Sequence, residues 1–170
     1  FKYIGMQGAV MKNWIIFSVV FILSLSLVIS VFVFWKANAP FSEIEQKAES
    51  FALDTKALAV VDDSYVYNGN KPYVTVFGVD EYGKEKAVFV PMSLDENSMQ
   101  EVFLADGITE EQALSVFQDD TAVKEILHMK LGFEEPGPVW EITYKSESGS
   151  LNYVYLLFED GQWWKRILNL

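Results

Sequence analysis

Cysteine is absent from these 170 residues, which excludes disulfides, thiolate metal sites and cysteine-linked lipids. Histidine occurs once, at His128, so any Ser-His-Asp arrangement would have a single possible base. No Gly-rich phosphate loop, HExxH pair or EF-hand loop is present. Charge is missing entirely between Trp14 and Trp35, where Ser18, Ser24, Ser26 and Ser30 are the only polar residues. A helix of these 22 residues rises about 33 Å, enough to cross a hydrocarbon core of about 30 Å. Each serine hydroxyl can bond back to a carbonyl one turn earlier, and Trp14 and Trp35 stand at the ends, where amphipathic rings favour the headgroup layer. A soluble domain of this size could hardly cover a helix that is apolar on every face. Residues 14–35 therefore read as a transmembrane anchor and 1–13 as a short N-terminal segment.

Ala37-Asn38-Ala39 supplies the small-residue pattern that a signal peptidase reads, but two features argue for retention. The apolar run exceeds the roughly 7–15 residues of a signal core. Pro40 would follow the cut, where its fixed φ and missing N–H fit a protease-bound strand poorly. Met11-Lys12-Asn13 resembles a natural start, which would place residues 1–10 upstream of it. Lys2 and Lys12 on one side nearly balance Lys36 and Lys47 on the other. A short basic N-terminus before an acidic folded part favours a single-pass anchor in the cell membrane with the C-terminal part extracytoplasmic.

All 24 acidic residues lie beyond residue 39 with 10 of the 13 basic ones, so 40–170 carries 10 − 24 = −14. Such a surface repels nucleic acid and other polyanions, which excludes them as direct ligands. The segment is long enough for one medium domain or two small units sharing a core, and too aromatic for disorder.

Within it the same order of elements is written twice. Ser42-Glu43-Ile44-Glu45 and Thr109-Glu110-Glu111-Gln112 are both capping boxes, each followed by apolar residues at helical spacing. Strands are expected over Val60–Tyr67, Tyr73–Val79 and Lys84–Pro91, then over Lys124–Phe133, Val139–Tyr144 and Leu151–Phe158. Glu81-Tyr82-Gly83 and Glu147-Ser148-Gly149 mark equivalent turns 66 positions apart. Asp160-Gly161 turns the chain into a last strand, Gln162–Leu168. The expected fold is α+β: the anchor, a first unit over 40–91, a connecting segment over 92–106 and a second unit over 107–170. Each unit packs a helix on an antiparallel meander.

This layout resembles the TseB-like family of Gram-positive bacteria, whose members carry one N-terminal transmembrane helix and two small outer units of cystatin-like or PepSY-like type. The local match lies in Val139-Trp140-Glu141-Ile142-Thr143-Tyr144, a turn, and Tyr153-Val154-Tyr155-Leu156-Leu157-Phe158. Glu159-Asp160-Gly161 departs from the aspartate and Thr-Gly often found at the last PepSY turn. The resemblance implies a regulator of cell-wall elongation acting outside the membrane on a penicillin-binding protein, and it implies no particular site residues.

The residues themselves point to no catalytic, cofactor or metal site. His128 shares a strand face with Ile126 and Lys130, the pattern of a solvated face. Asp62-Asp63, Glu110-Glu111, Asp119-Asp120 and Glu134-Glu135 could in principle serve a glycosidase or a cation, but sequence neighbours point apart and each doublet falls at a turn or helix end. Trp163-Trp164-Lys165-Arg166 is the candidate partner contact, through Trp163, Trp164 and Arg166, since Trp and Arg are enriched at binding hot spots. The expectation is a non-enzymatic interaction module with a membrane-bound protein partner and no small-molecule substrate. The alternative is an inhibitor or modulator of an extracytoplasmic protease.

Overall fold

The computed structural model describes residues 3–120 and 123–170, with side chains for 12–34, 42–118 and 123–170. The chain divides into two units, 1–42 and 43–170. Helix α1 (Tyr3–Asp54) supplies the first and the start of the second.

In the first unit, Lys12–Phe34 is a 23-residue span of α1 long and apolar enough to cross a membrane, and none of it is buried in the protein. Ser24 Oγ donates to the Val20 carbonyl at 2.8 Å and Ser30 Oγ to that of Ser26 at 2.8 Å, so these hydroxyls bond one turn back as expected. The span is consistent with a single-pass membrane anchor. Trp14 is exposed at its start; the side chains of Trp35 and of Ala37–Ala39 lie outside the described residues. The helix start expected at Ser42 is corrected, because Ser42–Glu45 lies inside α1. A capping box starts a helix only where the first N–H groups lack an upstream turn.

The second unit holds two sheets built alike. The first is β1 (Val60–Asn68), β2 (Pro72–Val79), β3 (Glu85–Pro91) and β4 (Gln100–Phe103), in that order and all antiparallel. Helix α2 (Glu110–Asp120) follows, then β5 (Glu125–Glu134), β6 (Gly137–Lys145), β7 (Leu151–Leu157) and β8 (Trp163–Ile167) in a second sheet of the same order. The fold class expected from the sequence is the one observed.

The internal repeat extends to irregularities. β1 carries an extra residue at Asp62 and β5 one at Leu127, each in the step between the second and fourth positions of its strand. At the next turn Gly83 (φ 76°) and Gly149 (φ 86°) both occupy the left-handed region. Their N–H groups donate to Asp80 at 3.0 Å and to Ser146 at 2.8 Å.

Two details depart from the expectation. Residues 92–106 are more than a connection, because β4 lies within them and closes the first sheet as a fourth strand. Its partner β3 holds it through Lys86, whose buried ammonium donates to Glu101 Oε2 at 2.7 Å and to the Ala57 carbonyl at 3.2 Å. The extra residue at Leu127 also breaks the alternation of β5. Ile126, paired with Tyr144, turns into the core, Leu127 is exposed, and His128, paired with Thr143, faces the other side.

The core has two layers that share the first sheet. On one face Val74, Val76, Val88 and Val90 meet Ala48 and Ala52 of α1 and Leu58 in the connection to β1. On the opposite face Tyr73, Ala87 and Phe89 join Phe117 of α2 with Leu131, Ile142 and Leu156 of the second sheet. A sheet covered on both sides reads as a nearly continuous apolar run, as Val74-Thr75-Val76-Phe77 does.

Candidate functional site

The candidate contact residues lie on β8, where Trp164 is an extra residue against β7, so that Trp163 and Arg166 share one face while Trp164 and Lys165 share the other. Trp163 turns toward α2, its ring 6.3 Å from that of Phe117, and the Arg166 guanidinium stacks 3.7 Å above the Trp163 ring. Trp164 lies on the outer face of the sheet, edge-on to Tyr155 at 5.8 Å, with Lys165 over both rings. The structure therefore brings Trp163 and Arg166 together and separates Trp164 from them.

That outer face carries the polar residues of the second sheet. His128, Glu141, Thr143, Tyr153 and Tyr155 surround a cavity of about 480 Å³ or stand beside it. Glu141 is 7% exposed, and its Oε1 lies 3.6 Å from His128 Nε2. Thr143 Oγ1 lies 2.9 Å from the same nitrogen. Burial pushes the Tyr155 phenol above its ordinary value, and the Glu141 carboxylate pushes it further, so the phenol stays neutral. A hydroxyl, an imidazole and a carboxylate are thus in reach of one another. In a nucleophilic relay, however, nucleophile and orienting acid bind opposite ring nitrogens. Here both reach Nε2, so the trio reads as a polar network on a solvated face.

No group of three His, Asp or Glu side chains placed to hold a metal occurs among the described residues. Asp62 and Asp63 are exposed on β1. Glu110 and Glu111 open α2, where Glu111's own backbone N–H and then the Thr109 hydroxyl hold its carboxyl below the usual range. The Asp119 and Asp120 side chains lie outside the described residues. Glu134 is 7% exposed and joins the sheets: its Oε1 accepts from the Tyr67 hydroxyl at 3.0 Å and from the Asn70 N–H at 3.2 Å.

A larger depression, about 720 Å³, lies where both sheets meet the start of α2. Phe77 and Phe103 of the first sheet, with Ile108, Trp140 and Phe158, form an apolar floor. Trp140 Nε1 donates to the Ile108 carbonyl at 3.0 Å and the Ile108 N–H to the Phe158 carbonyl at 2.8 Å, so the floor's polar groups are satisfied internally. Lys84, Glu85, Asp106 and Glu110 stand at the rim. Sequence patterns did not single out this groove, because apolar floor residues on strands look like ordinary core.

Residues 47–91, from α1 through β3, match the family described as the cell wall elongation regulator TseB-like domain. The chain is similar to that family over this stretch. It is 28% identical over 158 residues to the probable cell wall elongation regulator TseB of Bacillus subtilis, covering 92% of this chain and 98% of that one. Among solved structures it is similar to the YpmB protein from Bacillus subtilis, with a TM-score of 0.64, 27% identity, and 72% of this chain and 95% of that chain covered. The TseB-like match ends at β3, while the likeness to YpmB covers 72% of the chain.

Proposed function

We propose that this protein is a membrane-tethered, non-enzymatic regulator of cell-wall elongation whose outer unit lies outside the cell membrane and binds a penicillin-binding protein. The observation that carries this reading is the likeness, over nearly the whole chain, to a protein named as a probable cell wall elongation regulator. The anchor supports it, because confinement to a membrane raises the effective concentration of a module near another membrane protein without any added contact. The two open depressions of the outer unit, on surfaces that carry no assembled catalytic relay, suit protein recognition better than turnover.

The test is crosslinking in intact cells, with a photoreactive residue placed in turn at Tyr82, Glu147 and Asp160, which are exposed at three separate turns. Recovery of a penicillin-binding protein is the expected result. Recovery of an extracytoplasmic protease instead would favour a protease modulator, and cytoplasmic partners alone would overturn the topology and the function together.

A further inference from the structure

The groove between the two sheets has a chemistry that selects its occupant. Its floor is aromatic and aliphatic, and the polar atoms of that floor bond to one another, so it offers little to a ligand seeking directional hydrogen bonds. What remains is apolar area, which favours side chains that leave water on docking. Its rim is acidic. Glu85, Asp106 and Glu110 are exposed there, and none belongs to an ion pair among the described residues. Glu110 complements the positive end of α2, which leaves Glu85 and Asp106 without any internal use. The one basic rim residue, Lys84, lies 5.4 Å over the Phe103 ring and is drawn toward the floor. The field of the outer segment has the same sign, 10 − 24 = −14.

We infer that this groove binds a basic segment of a partner protein, one that alternates apolar side chains with lysine or arginine. The apolar residues cover the half-buried Phe77, Phe103 and Ile108, with Trp140 and Phe158 buried beneath them, while the cations meet Glu85 and Asp106. This deepens the proposed function and rests on it only in naming a protein partner. Because both sheets line the groove, an occupant contacts the two halves of the repeat at once.

The probe is a labelled peptide alternating lysine with valine, titrated by fluorescence anisotropy against the full chain in zwitterionic lipid nanodiscs, with empty nanodiscs subtracted. Saturable binding that weakens with added salt is expected. A lysine–serine peptide should bind at least tenfold more weakly, and so should the parent peptide to a Glu85→Lys/Asp106→Lys variant with an unchanged melting temperature. Should that variant fold poorly, Glu85→Gln/Asp106→Asn is expected to give an intermediate loss. A photoreactive residue at Ala105, which lines the groove, should capture the peptide, and one at Glu147 should not. Equal binding of a glutamate–valine peptide, unchanged binding to the charge variants, or capture only at Glu147 overturns the inference. No cellular partner enters this assay, so its failure is distinct from a failure to recover a penicillin-binding protein in cells.

Discussion

Gly132 lies at a close approach between the sheets. A Cβ at that position would overlap the ring of Tyr67, a side chain 1% exposed and held by Glu134. Around it Leu131 gives its carbonyl to the Thr75 hydroxyl at 2.9 Å, and its N–H donates to the Tyr65 hydroxyl at 2.7 Å. Lys130 Nζ donates to the Val66 carbonyl at 2.9 Å. Such a joint gives no room for a methyl group. Gly132→Ala is expected to cost about 1–3 kcal/mol in denaturant unfolding, and shrinking the ring in a Tyr67→Leu background should recover part of that loss. Additive costs in the double variant would remove the steric explanation.

The same tyrosines set the alkaline limit of the fold. Burial is the main cause that raises the phenols of Tyr65, Tyr67 and Tyr155 above the ordinary value of 10.0. The folded state therefore favours the neutral phenol. That contribution to stability is complete below the unfolded value and is lost as pH rises above about 10. The melting temperature should fall with pH beyond about 10, and phenolate absorbance from these residues should appear only as the protein unfolds. Phenolate absorbance from all the tyrosines at about pH 10, with the fold intact, would contradict the burial argument.

At the scale of elements, two capping boxes of the same local quality met different fates. Thr109 donates its N–H to Gln112 Oε1 at 2.8 Å and accepts the Gln112 N–H on Oγ1 at 3.3 Å, the reciprocal pair that starts α2. Ser42 sits inside α1, because an apolar helix already runs through that region. Thr109→Ala should cost about 1 kcal/mol, read as a shift in the urea midpoint; no shift would mean that packing alone holds the start of α2. Strand positions were legible wherever apolar residues were dense, and the repeat was legible because its turns carry glycine and polar residues at one spacing. β4 was not, since Gln100 and Glu101 have no strand pattern and the strand is held by Lys86 from a neighbour. The extra residues at Asp62 and Leu127 were also hidden, because a bulge answers to pairing across strands rather than to the composition of one. For the contact site, alternation separated the two tryptophans but grouped Arg166 with Trp164, and only the extra residue at Trp164 brings Arg166 to Trp163. The groove was invisible, since its floor draws on residues far apart in sequence.

At the scale of the whole second unit, duplication has ended in interdependence. Two separately stable copies would each bury one face of a sheet under a helix and leave the other face in water. Here the second face of the first sheet is core: Ala87 and Phe89 are fully buried among residues of β5, β6, β7 and α2. Phe89 lies 5.4 Å from Phe133, and Tyr73 lies 6.1 Å from the same ring. Exposing the first sheet therefore uncovers the second, so residues 43–170 should unfold in one transition. With Trp14 and Trp35 replaced by phenylalanine, the remaining fluorescence comes from Trp140, Trp163 and Trp164, all on strands of the second sheet. Hydrogen exchange in β2 reports on the first, and the two midpoints in denaturant should coincide. Phe89→Ala, which removes about 3–5 kcal/mol of core packing, should lower both midpoints together although the residue belongs to the first sheet. If the β2 midpoint dropped while tryptophan fluorescence held its place, the two sheets would be independently stable halves. The buried contacts between them would then contribute orientation and little stability.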